Sequence, residues 1–82
     1  MQYEARFRPQ AIKDLKKIPQ KFARNILEKI EILQTDLQGD VKKLTNFTPE
    51  YRLRVGQYRI LFEIEEDEII IYRVLHRSKS YR

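Results

Sequence analysis

The chain contains no cysteine, so neither a disulfide nor a thiolate metal site can staple it, and the fold has to hold by packing alone. Histidine occurs once, at His76, which leaves a multi-histidine metal site without ligands. No glycine-rich phosphate loop is present. Thiol catalysis, multi-histidine metal chemistry and nucleotide-binding loops therefore lack their parts, and no cofactor is expected. No apolar run approaches membrane-spanning length, and the first residues carry no signal-peptide core. The expectation is a cytoplasmic protein with no membrane partner, a single domain over residues 1–82 with room for one modest core.

What the chain does carry is unevenly placed positive charge. Lys and Arg number 17 against 12 Asp and Glu, a net charge of +5, which suggests a polyanionic partner. Between Tyr51 and Phe62 stand Arg52, Arg54 and Arg59 with no acid, and Arg73, Arg77, Lys79 and Arg82 follow in the equally acid-free tail. The acids of this half gather in Glu63–Glu68, on a predicted turn, and read as a solvated turn in preference to a metal site.

Tyr51–Phe62 reads as a hairpin folded at Gly56-Gln57. Tyr51, Leu53 and Val55 share one face of the first arm, and Tyr58, Ile60 and Phe62 share one face of the second. A two-residue loop then sets Arg54 directly opposite Arg59. Like charges so placed are destabilising, so the arrangement points to an anion between them. On spacing alone the same arginines also fit an ordinary exposed strand face. Guanidiniums bind phosphate bidentately, stay charged at any biological pH and stabilise charge developing on a phosphoryl group. His76 and Tyr81 are the candidates for proton transfer or base stacking.

Elsewhere, Gln2–Arg8 alternates as a half-buried strand, with Tyr3, Ala5 and Phe7 on one side, and Pro9 ends it. Ala11, Ile12, Leu15 and Ile18 mark a short amphipathic helix over 10–18. After Pro19 a longer helix is expected over 20–37, its stripe formed by Phe22, Ile26, Ile30, Leu33 and Leu37 and widened by Ala23 and Leu27. Val41–Glu50 has little period and reads as a loop. Glu68–Leu75 is nearly all apolar, as in an interior strand. Its facing depends on the preceding loop. An odd-length loop turns Ile70, Tyr72 and Val74 inward, and this is preferred because the alternative buries Arg73. The fold class is α+β, in the order β-α-α-β-β-β, with a helical hairpin on one face of a mainly antiparallel sheet.

Taken in order, the Ala11…Lys13-Asp14-Leu15-Lys16-Lys17-Ile18-Pro19 segment, Lys43-Leu44, Tyr51–Arg59 and the ending His76–Arg82 form a pattern that resembles the RelE/ParE toxin superfamily of bacterial toxin–antitoxin pairs over nearly the whole chain. The resemblance implies a small ribonuclease that acts in the ribosomal A site, where the ribose 2′-OH attacks the adjacent phosphate of the mRNA. It implies catalytic roles for Arg52, Arg54, Arg59, Arg77 and Tyr81. Lys42, Lys43, Arg73, His76 and Lys79 are the expected RNA contacts, although Lys42 and Lys43 also fit a solvated loop and His76 a plain surface or partly packed histidine, and no metal is expected. It also implies a cognate antitoxin that masks the basic face, and contact with operator DNA only through the toxin–antitoxin complex. Where some members carry lysines on the first hairpin strand, this chain has Arg52 and Arg54, which effectively cannot serve as bases. The base is therefore left among Tyr81, His76 and the ribosome. A ParE-like gyrase inhibitor without nuclease activity and a non-enzymatic basic binding module are the alternative functions.

Overall fold

The computed structural model describes residues 1–79 of the chain. Tyr81 lies outside the described residues. The elements are β1 (Glu4–Phe7), α1 (Pro9–Lys16), α2 (Gln20–Leu33), β2 (Val41–Lys43), β3 (Tyr51–Val55), β4 (Tyr58–Glu65) and β5 (Glu68–His76), followed by a 3-10 turn, Arg77–Lys79. The strands form one mixed sheet in the order β1-β5-β4-β3-β2. β1 runs parallel to β5 and the other neighbours are antiparallel. Two helices on a mainly antiparallel sheet is the expected α+β class.

Pro9 opens α1 at a position where its missing N–H costs nothing. Ala11 is buried, but Ile12 is half exposed, because α1 packs along β5 on a narrower face than its apolar residues suggest. In α2, Ile26, Ile30 and Leu33 form the buried stripe. Phe22 and Leu27 remain largely exposed, so the stripe is narrower than expected. Helix α2 ends at Leu33, short of Leu37. The chain is there drawn into a bridge between Thr35 and Gln2, and Asp36 and Leu37 adopt left-handed φ values of 55° and 54°. Gln34 also closes the outer edge of β1, its carbonyl accepting from Tyr3 N–H at 2.7 Å and its Oε1 from Ala5 N–H at 2.9 Å.

Two expectations are corrected. The segment 41–50 is not all loop: Val41–Lys43 pairs with β3, Val41 opposite Leu53 and Lys42 opposite Arg52. The strand is short and two of its three residues are lysines, so its formation depends on the partner strand and not on its own pattern. The facing of β5 is also different. The β4–β5 loop is Glu66-Asp67, an even count, so Ile69 and Ile71 point inward in place of Ile70. That register alone would place Arg73 opposite Ile60, on the buried side. A bulge at Tyr72 resets it, pairing Leu61 with Arg73 and Ile60 with Val74. Val74 is therefore buried and Arg73 is not.

The core fills the helix side of the sheet: Leu53, Ile60, Phe62, Ile69 and Ile71 are all but inaccessible and meet Ala11, Ile26, Ile30 and Leu33. Each such large side chain contributes about 1.5–3 kcal/mol relative to exposure. The opposite face carries the arginines.

Candidate active site

The β3–β4 register pairs Val55 with Tyr58, Arg54 with Arg59 and Arg52 with Leu61. The turn forms because Gly56 takes φ +58, a value that glycine adopts freely. Strand alternation then sends Arg52, Arg54, Arg59 and, from β2, Lys42 to the face away from the helices. These four cations line one open cavity of about 500 Å³, whose remaining wall comes from Leu44, Thr45 and Phe47 of the β2–β3 loop.

Each guanidinium is tied down by one nitrogen. Arg54 donates from Nε to Asp40 Oδ2 at 2.6 Å. Arg52 donates from Nη1 to the Asp40 carbonyl at 2.8 Å and to Oδ1 at 3.3 Å. Arg59 donates from Nη1 to the carbonyls of Gly56 at 3.1 Å and Tyr58 at 3.0 Å. Among the described residues, their other guanidinium nitrogens have no hydrogen-bond acceptor. Arg52 is nearly enclosed, with 12% of its side chain accessible, while Arg54 is 54% accessible. Asp40 does not line the cavity; it braces the two arginines from outside it. The hydrogen bond from Arg52 lowers the Asp40 carboxyl most; desolvation pushes it back up, but with the bond from Arg54 and the charges of both arginines added, it stays below the usual carboxylate range. Gly39 positions Asp40: its φ of +130 suits glycine, and a Cβ there would meet Leu53 Cδ1 at 2.9 Å.

The remaining candidates separate. Arg73 forms a two-pronged pair with Asp14 of α1, Nε to Oδ2 at 2.8 Å and Nη2 to Oδ1 at 3.2 Å, and Asp14 Oδ2 also accepts from Val74 N–H at 3.0 Å. Asp14 thus closes the β5 edge beyond the end of β1. Burial pushes its carboxyl up, but the bonds from Arg73, Val74 and Gln10 outweigh this and bring it below the ordinary value. Lys43 alternates to the helix side, its Nζ 6.0 Å from the Tyr51 ring centroid. His76 is on that side too, edge-on to Tyr58 at 5.6 Å and bonded to Ser78 Oγ at 3.0 Å. Arg77 continues the ladder, its N–H donating to the Gln57 carbonyl at 2.7 Å, which sets its backbone beside the hairpin turn. Lys79 stands with Lys17 and Arg73 around a separate hollow next to Asp14.

Three residues of consequence escaped the sequence reading. Asp14 had a signal, since it falls three residues after Ala11 and so on the apolar stripe of α1. Asp40 and Phe47 had little beyond being an acid beside a glycine and an aromatic in a polar loop. Among the described residues, no group of three His, Asp or Glu side chains could hold a metal ion.

Residues 5–81 match the family model of the ParE toxin of the type II toxin–antitoxin system parDE. The chain belongs to the RelE/ParE toxin family. It is 43% identical over 75 residues, 85% of either chain, to Toxin RelE3 of Methanocaldococcus jannaschii. Its fold is similar to that in the RelB–RelE antitoxin–toxin complex from Methanococcus jannaschii, at 39% identity and a TM-score of 0.76, over 92% of this chain and 93% of that one. It is also similar to the RelBE2 toxin–antitoxin complex from Mycobacterium tuberculosis, at 28% identity and a TM-score of 0.81, over 94% and 100% of the two chains. The cavity's amine is Lys42, on β2, and the hairpin supplies only arginines.

Proposed function

We propose that this toxin is a ribosome-dependent mRNA endonuclease. The observation that carries the reading is the convergence of Lys42, Arg52, Arg54 and Arg59 on the lining of one cavity. In the reaction, the 2′-oxygen of a ribose attacks the adjacent phosphorus, the bond to the 5′-oxygen of the next nucleotide breaks, and a 2′,3′-cyclic phosphate remains. The three guanidiniums bind the phosphate oxygens and offset the charge that builds in the transition state. Because each is already tethered, little reorganisation accompanies binding.

The 2′-OH proton must leave and the 5′-oxygen must gain one. Arginine serves neither purpose, whereas the Lys42 amine lines the cavity and is able to exchange a proton. Tyr81 retains the proton-transfer role that the family resemblance gives it, and Arg77 the phosphate-binding role, favoured by its anchorage at the hairpin turn. His76 and Lys43, on the helix side, act outside the chemical step. A cognate antitoxin, as in the RelB–RelE complexes of the relatives, would cover the basic face, and operator DNA would be met only through that complex. Ribosome and mRNA as targets place the protein in the cytoplasm; no helix among the described residues is long and apolar enough to cross a membrane.

The match to the ParE model supports gyrase inhibition as a second reading. Purified toxin added separately to mRNA on translating ribosomes, to free mRNA and to a gyrase supercoiling assay decides between them. Cleavage in the first alone is expected; inhibited supercoiling with intact mRNA overturns the nuclease reading.

A further inference from the structure

The hollow at the free edge of β5 is a second gathering of cations, which the proposed chemistry leaves unused. Parallel pairing with β1 ends at Phe7 and Ile71, so the rest of β5 has no strand on its outer side. There a hollow of about 300 Å³ is lined by Lys17 from the end of α1, Arg73 and His76 from β5, and Lys79 from the 3-10 turn. Its one carboxylate, Asp14, is 8% exposed and committed to the fold. Asp14 Oδ2 accepts from Arg73 Nε and Val74 N–H, and Oδ1 accepts from Arg73 Nη2 and Gln10 Nε2. Asp14 and Arg73 thus offset each other. Among the described residues, no carboxylate lies within ion-pair distance of Lys17 or Lys79. Two uncompensated ammonium groups therefore share one hollow, at a cost in mutual repulsion. His76 N–H, two residues along β5 from Val74 N–H, points to the same edge. The hollow also adjoins the arginine cavity: Leu75, which lines the hollow, is the cross-strand partner of Arg59, which lines the cavity. Their backbones are one strand spacing apart, about 4.8 Å.

We propose that this hollow is a second phosphate subsite, which holds a flanking phosphate of the same RNA strand whose scissile phosphate lies among Arg52, Arg54 and Arg59. Lys17 and Lys79 supply the uncompensated charge, and Arg73 adds a guanidinium that Asp14 holds in one orientation. A cationic groove that tracks the backbone binds a single strand without reading its bases. Anchoring the strand at a second phosphate also restricts how the first one moves in the cavity, so the subsite contributes to positioning as well as to affinity. The inference deepens the RNA-cleaving reading of the cavity and rests on it.

Lys17 and Lys79 are both exposed, so Lys17→Gln combined with Lys79→Gln should discharge the hollow and leave the thermal midpoint unchanged. If the pair lowers the midpoint, Lys79→Gln alone repeats the test. The probes are 2′-O-methyl oligoribonucleotides, which cannot be cut: a short one that fills the arginine cavity alone, and a longer one that also reaches the β5 edge. Anisotropy titrations over a range of salt give the affinity and its salt dependence for each. With the long oligomer the double variant should bind more weakly, and the slope of log K against log salt should become shallower by about 0.7, the equivalent of one single-strand phosphate contact. With the short oligomer both should stay close to those of the unmodified protein. Lys17→Arg with Lys79→Arg should bind the long oligomer as the unmodified protein does. Unchanged binding of the long oligomer by the glutamine variant overturns the inference. An equal loss with both oligomers also overturns it, since that is general attraction and not a subsite. Lost antitoxin affinity with RNA binding intact overturns it too, and assigns the hollow to a protein interface. Because the readout is binding, a length-dependent loss in a protein that fails to cut mRNA on ribosomes upholds the subsite while removing the nuclease reading.

Discussion

Arg54 and Arg59 are direct cross-strand partners at the tip of the β3–β4 hairpin, and each is restrained by an acceptor outside the pair, Arg54 by Asp40 and Arg59 by the carbonyls of Gly56 and Tyr58. Like charges in that relation cost about 0.2–1 kcal/mol. The fold tolerates this repulsion and fixes both groups on the wall of one cavity, which is the reverse of what stability alone would select.

Arg59→Ala should therefore separate activity from stability. Loss of one transition-state donor is expected to slow ribosome-dependent cleavage about 10²–10³-fold. The thermal midpoint should stay the same or rise slightly as the repulsion is relieved. Unfolding curves and cleavage rates from one preparation check both. A variant that melts earlier yet cleaves normally would give Arg59 a structural role instead.

Asp40→Ala frees Arg52 and Arg54 without altering the charges that face the cavity. Cleavage is expected to fall about tenfold or more, because the arginines must now be oriented during the reaction. Affinity for a single-stranded oligonucleotide at low salt should be unchanged or tighter, since a carboxylate has been removed from the neighbourhood. Single-turnover cleavage and anisotropy titrations measure the two effects. Equal losses in both would reduce Asp40 to a binding contact.

Lys42→Arg keeps the charge and removes the exchangeable amine. If the proton passes through Lys42, RNA affinity holds while cleavage falls about 10²-fold or more. Cleavage by this variant at the unmodified rate assigns the proton to another group, with Tyr81 first in line.

Asp14→Asn tests the clasp between α1 and β5. At pH 7 it should cost about 2–3 kcal/mol, less than for a fully enclosed pair because 41% of the Arg73 side chain is open to water. The sign with pH follows from the depressed Asp14 carboxyl. A carboxyl lowered in the folded state contributes its full stability above its unfolded pKa of about 3.9 and loses it as pH falls through the folded value. Denaturant unfolding should therefore show the gap between the unmodified chain and the variant wide at pH 7 and closing below about pH 4. A gap constant down to strongly acidic pH would contradict the assignment.

How far these features were legible in the sequence follows from how local their causes are. The Arg54–Arg59 pairing is readable because Gly56 fixes a two-residue loop and the arms alternate on either side of it. Strand β2 is not, because Lys42 and Lys43 show no alternation and the strand exists only where β3 offers an edge. The facing of β5 is decided by a competition between the even Glu66-Asp67 loop and the cost of burying Arg73, settled by a bulge at Tyr72 that leaves no mark in composition. Asp14 stands out in the sequence only as an acid on the apolar stripe of α1, three residues after Ala11, and what it clasps is not readable until the β5 edge it covers is known. Asp40 and Phe47 acquire meaning only once β2 and its loop are brought beside the hairpin.

The central claim, that the arginine cavity cuts mRNA during translation, is tested most directly by primer extension on transcripts from cells in which the toxin is induced without antitoxin. New 5′ ends confined to translated sequence are expected, absent when initiation on that transcript is blocked and absent with Arg59→Ala. Intact transcripts accompanied by DNA damage, or cuts that persist in untranslated RNA, would contradict it.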